Sequence, residues 1–135
     1  MKTAITILAL LWASSTLAQA PVFIDVRSAA EFAQGHLGGA QLIPHDEIEQ
    51  GINQLQPGMD TTLYLYCRSG RRAGIAADTL RAMGFTRVIN LETLENARRT
   101  SDQLQLCARS SDAPGCNIPE TPGETIPGAS APREG

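Results

Sequence analysis

The chain has one lysine, Lys2, and every other basic residue is arginine. Its formal net charge is −3, too small to point to a nucleic acid or a membrane surface as a partner. It has two histidines and three cysteines, and no Cys/His spacing resembles a zinc site, since the C-x8-C of Cys107 and Cys116 stands alone. Nor is there a glycine-rich nucleotide loop, because GHLGGA (35–40) lacks the required strand and helix on either side. No cofactor and no metal are therefore expected. The 135 residues contain no internal repeat, which makes one domain the default.

Long apolar runs are also missing. The longest candidate lies in MKTAITILALLWASSTLAQA (1–20), where Lys2 precedes an apolar centre from Ala4 to Trp12, followed by small residues. That centre is too short to span a bilayer core of ~30 Å. It has the form of a secretory signal peptide instead. Cleavage after Ala20 would leave Pro21 first, which hampers the peptidase, so a cut after Ala18 and a mature start at Gln19 are favoured. No cysteine sits at the junction to take a lipid, so no stable membrane anchor is expected, and the destination is periplasmic or secreted. Export makes the compartment oxidising. Cys107 and Cys116 flank a stretch with proline and glycine that can fold back, and they are expected to pair. That leaves Cys67 reduced.

Strand and helix signals alternate between these ends. VFIDV (22–26) is a buried strand, and SAAE (28–31) a capping box opening a helix over 29–34. QLIP (41–44) is a short strand stopped by proline. DEIEQGINQL (46–55) has helical spacing at 48, 52 and 55. TTLYLYC (61–67) is the strongest strand, RAGIAADTLRAM (72–83) a helix closed by Gly84, and FTRVINL (85–91) a further strand. LETLENARR begins a last helix, reaching to about residue 106. Short connections between alternating strands and helices predict an α/β fold, a small open parallel sheet of about four strands flanked by helices. Residues 108–135 hold five prolines and four glycines and no aromatic residue, and are read as a tail. The organisation expected is thus a leader over 1–18, a domain over 19–106 and a tail over 107–135.

The chemistry concentrates in CRSGRRA (67–73). Ligands of open α/β sheets bind beyond the carboxyl ends of the strands, where Cys67 sits. The amides of Arg68, Ser69, Gly70, Arg71 and Arg72 can turn inward as a ring of donors, and the helix start adds partial positive charge. The same field that attracts an anion lowers a thiol pKa and makes Cys67 a nucleophile. Three readings compete at this point. Phosphatase chemistry uses C-x5-R, but the sixth position after the cysteine is Ala73, so the loop is one residue short. Sulfur transfer through a persulfide suits a compact ring of amides. An inert buried thiol is the third.

IDVRSAAEFAQGHLGGAQLIP (24–44), YCRSGRRA (66–73) and AMGFTRVINL (82–91) together resemble the signatures of rhodanese-like domains, with the exported single-domain format most similar to the small periplasmic rhodaneses of the phage shock protein E type. The resemblance implies thiosulfate sulfurtransferase activity: a small anionic sulfur donor at the loop, a persulfide on Cys67, and a thiol or cyanide as acceptor. It also implies structural roles near the site for Asp25, Arg27 and His36, while His45 is a lesser candidate for the rim. Two departures stand out. The usual first strand and helix are missing, and the glycine pair that normally follows the last strand is replaced in NLETLENARR.

Overall fold

The computed structural model describes residues 19–116; the leader read over 1–18 and the tail beyond Cys116 lie outside the described residues. Four strands form one parallel sheet in the order β2-β1-β3-β4. They are β1 (Val22–Asp25), β2 (Gln41–Leu42), β3 (Leu63–Cys67) and β4 (Val88–Thr93). The helices are α1 (Ala29–Gln34), α2 (Ile48–Leu55), α3 (Arg71–Ala82) and α4 (Leu94–Arg109), with a short 3-10 turn at His45–Glu47 leading into α2.

Side chains of a strand alternate between the faces of a sheet, and that parity decides everything about the site. Leu63, Leu65 and Cys67 point to one face, together with Ile24 and Val26, and pack with Ile48 and Ile52 of α2 and Ala73, Ala76, Ala77 and Leu80 of α3. Tyr64 and Tyr66 point to the other face, where Leu91 and Ala97 complete the layer beneath α4. Every residue of β3 is buried, as expected for a central parallel strand covered on both faces. The three small alanines of α3 let its axis lie close to the sheet, which brings its first turn over the end of β3.

Element boundaries shift where amides find partners outside the sheet. The strand expected over 85–91 begins three residues later. Phe85 is buried, but its amide donates to the Leu80 carbonyl and that of Thr86 to the Met59 carbonyl, so both leave the ladder. β4 then runs on through Thr93, whose hydroxyl accepts from the Asn96 amide and starts α4. α4 passes residue 106 and ends at Arg109 because Ser110 takes an extended conformation. In its last turn Cys107 is joined by a disulfide to Cys116 beyond the helix. Among the described residues no helix is long and apolar enough to cross a membrane.

Candidate active site

The loop from Cys67 to Arg71 turns the chain from β3 into α3 in three residues. Gly70 makes this possible: it is the N-cap of α3 with φ of +87°, a conformation that costs little only for glycine. A Cβ here would also lie 3.0 Å from the Cβ and Cγ of Glu92 and 3.2 Å from its Cα, so β4 closes on the loop as tightly as hydrogen permits.

With this turn in place the Gly70 amide donates to the Cys67 Sγ at 3.0 Å. Burial pushes the thiol pKa up, and it is the largest single influence. The amides of Ala73, Ser69, Gly70 and Arg72 together outweigh it, so the net displacement is downward. The dominant physical cause is hydrogen bonding to the ionised form, reinforced by the start of a helix. Ala73, in the first turn of α3, contributes to that lowering and lies outside the 68–72 stretch to which the sequence points. Cys67 itself is 1% exposed, while Arg68, Ser69 and Arg71 are exposed.

The three arginines have separated fates. Arg68 and Arg71 stand at the surface around the loop. The guanidinium of Arg72 instead forks onto Glu31, with NH1 and NH2 each 2.8 Å from a carboxylate oxygen. Glu31 is also the carboxylate of the capping box, accepting from the Ser28 amide at 3.0 Å. Arg72 first, then the Ser28 amide, holds the Glu31 carboxyl well below the usual carboxylate range. The Arg72 side chain thus ties α1 to the mouth of α3, and the residue acts on the Cys67 sulfur through both its amide and its guanidinium.

Asp25, Arg27 and His36 are braces. Asp25 is fully buried and takes the Arg27 guanidinium through both oxygens, the shortest contact being 2.6 Å. Arg27 also donates to the Gly35 carbonyl at 2.7 Å and lies over the Tyr66 ring, 5.7 Å from its centroid. Tyr66 in turn accepts from the Leu37 amide. Burial, more than the neighbouring Asp25, pushes the Tyr66 phenol up to about 12. Tyr66 points away from the thiol by strand parity, so this network holds the 35–37 turn and the back of the sheet. His36 stacks on Phe32 with ring centroids 3.6 Å apart, and its Nδ1 pairs with the Phe32 carbonyl. His45 belongs to the 3-10 turn, where its amide donates to the Val26 carbonyl.

Two residues near the loop carried no sequence signal beyond the unusual NLET. Asn90 donates its Nδ2 to the Gly70 carbonyl at 2.9 Å, and Glu92 adopts a φ of +69° beside Gly70. Two grooves of about 320 and 400 Å³ lie between β2 and α2 and alongside His45 and Thr79, and neither is lined by the cysteine loop. Among the described residues no group of three His, Cys, Asp or Glu converges to hold a metal ion.

A cysteine at a strand end with the Gly70 amide directed at its sulfur agrees with what comparison with known proteins finds. The family of rhodanese-like domains matches residues 9–93. An uncharacterised protein of Bacillus subtilis, YqhL, is 44% identical over 69 residues, covering 51% of this chain and 53% of its own length, so the match spans about half of that relative. The thiosulfate sulfurtransferase PspE of Escherichia coli is 37% identical over 81 residues, covering 56% of this chain and 78% of that protein. Among solved structures, a rhodanese with anions from E. coli superposes with a TM-score of 0.54 at 36% identity, covering 57% of this chain and 91% of that one. Its parallel four-stranded sheet, its cysteine loop and these matches place the chain in the rhodanese-like domain family.

Proposed function

We propose that the protein is a thiosulfate sulfurtransferase that works through a persulfide on Cys67. The observation that carries the reading is the Gly70 amide 3.0 Å from Sγ, beside the start of α3, which together favour the ionised form of the thiol. Such donors are worth most where charge develops in a site shielded from water. The Cys67 thiolate attacks the outer sulfur of thiosulfate. The S–S bond of the donor breaks, and sulfite leaves with the electron pair. The new terminal sulfur of Cys67–S–S⁻ carries the negative charge, and the loop amides are the groups that stabilise it. Cyanide or a thiolate then attacks that sulfur, leaves as thiocyanate or a persulfide, and returns Cys67 as thiolate. Exposed Arg68 and Arg71 attract the anionic donor to the mouth of the loop. Phosphatase chemistry on the same loop lacks its arginine, since Ala73 stands six residues after the cysteine. The leader composition and the Cys107–Cys116 disulfide support action outside the cytoplasm.

Incubating the reduced protein with thiosulfate and weighing it intact tests the first half-reaction. The expected result is a gain of one sulfur atom on Cys67, and no gain, together with no thiocyanate, in Cys67→Ser. Undiminished thiocyanate formation by that variant overturns the assignment. A persulfide carrier with slow turnover on small molecules is the second reading, favoured by the 1% exposure of Cys67. Its mark is full sulfur loading with little release to cyanide.

A further inference from the structure

Between Leu65 and Tyr66 the register of β3 against β4 slips: Leu65 pairs with Asn90, but Tyr66 pairs with Glu92, so Leu91 is an extra residue on β4. Bulges of this kind are rare between parallel strands and are concentrated beside active sites, where they re-aim a side chain. Here one side chain holds the bulge closed. The Oδ1 of Asn90 accepts from the Glu92 amide at 2.8 Å, across the extra residue, and supports the φ of +69° that Glu92 adopts. The other end of the same amide, Nδ2, donates to the Gly70 carbonyl at 2.9 Å. That carbonyl also accepts the first helical bond of α3, from the Gly74 amide at 2.8 Å. Gly70 is the residue whose own N–H points at the Cys67 sulfur.

We propose that Asn90 is a positioning residue for sulfur transfer: by gripping the Gly70 carbonyl from the bulge of β4, it fixes the orientation of the Gly70 residue and so keeps its N–H aimed at the Cys67 sulfur. A glycine has no side chain to hold its own conformation, and Gly70, itself buried, is flanked by the exposed Ser69 and Arg71. Two hydrogen bonds to its carbonyl, one from α3 and one from β4, fix the peptide unit that follows Gly70, so only the two dihedrals of this one residue separate that fixed unit from the N–H facing the sulfur. The side chain of Asn90 is half-buried and makes no contact with the sulfur in this network, so it acts through Gly70 alone. The charged groups disposed around the thiol are Arg72 of α3 with Glu31 of α1 behind it, Glu92 of β4, and Arg68 and Arg71 of the loop, and substitution of Asn90 leaves them all in place.

This inference rests on the loop amides serving the sulfur, and its test is separate from turnover. The rate of Cys67 alkylation by iodoacetamide is measured against pH in the full chain and in Asn90→Ala and Asn90→Ser. Serine can still accept from the Glu92 amide and hold the bulge, but it is too short to reach Gly70. Both variants should reach the wild-type plateau at alkaline pH. At a pH well below the thiol pKa both should react about three- to tenfold more slowly, as a rise of up to one pKa unit requires. An unchanged pH profile in Asn90→Ser overturns the proposal, as does a lowered plateau without a shifted midpoint, which marks a merely disordered strand. If the wild type makes no thiocyanate and the profiles still shift, sulfur transfer falls and the role of Asn90 stands.

Discussion

At the scale of single residues the site depends on a glycine with no room for a side chain. Gly70→Ala forces an L-residue into φ of +87° and sets a methyl 3.0 Å from Glu92. The expected cost is about 1–3 kcal/mol of stability. Relief of the clash also turns the Gly70 amide away from the thiol, so sulfur uptake from thiosulfate should fall by about tenfold or more, the equivalent of one pKa unit or more of lost anion stabilisation. Denaturant unfolding and intact mass after a timed thiosulfate pulse measure the two effects. Wild-type loading in a folded Gly70→Ala protein would show that this amide does nothing for the sulfur. The thiol's own displacement has a fixed sign. Its folded pKa is depressed, so the stabilisation it brings is present above the unfolded thiol value and is lost as pH falls through the folded one.

Between elements, the Glu31–Arg72 fork does most to connect the first signature of the sequence with the second. Glu31 serves α1 as the N3 carboxylate of its capping box and serves α3 as the partner of its second residue. Glu31→Gln keeps the size and some of the hydrogen bonding but removes the charge. With about a quarter of each side chain exposed, solvent weakens the pair, and the expected loss is about 1 kcal/mol at neutral pH. The folded carboxyl pKa is depressed, so this contribution exists above the unfolded value, near ~4.3, and shrinks as pH falls below it. Thermal melts of wild type and Glu31→Gln should therefore differ at pH 7 and converge in acid. A difference undiminished between pH 7 and pH 3 would mean that the charge is not what matters. The capping box was legible in SAAE because its bonds span three residues. The fork was not, because its partners lie 41 residues apart and meet only when β1 and β3 pair.

For the whole molecule, the disulfide and the reactive thiol sit in different places. Thr93 is the register neighbour of Cys67, and α4 starts at the next residue. Cys107 lies thirteen residues into that helix from Leu94, about 20 Å along its axis at 1.5 Å per residue. Direct exchange of Cys67 with the disulfide within one chain is out of reach, which removes a redox relay between them. Thiol titration of the denatured protein should accordingly find one reactive cysteine before reduction and three after. Reducing the disulfide should change sulfur uptake by no more than roughly twofold, as expected for sites this far apart. A larger drop would tie the end of α4 to the loop.

Parity of a five-residue strand, the capping of a short helix and a glycine before a run of arginines are properties of neighbouring residues, and neighbouring residues suffice to determine them. From these alone came the parallel sheet and the thiol at its carboxyl edge, beside the turn that Gly70 makes. The bulge in β4, the left-handed Glu92 that fills the space a glycine leaves, the Asn90 grip on Gly70 and the diversion of Arg72 to Glu31 were decided only by the tertiary structure. Each joins residues from different strands and helices, and no local spacing encodes a bond whose two ends meet only after the sheet has closed.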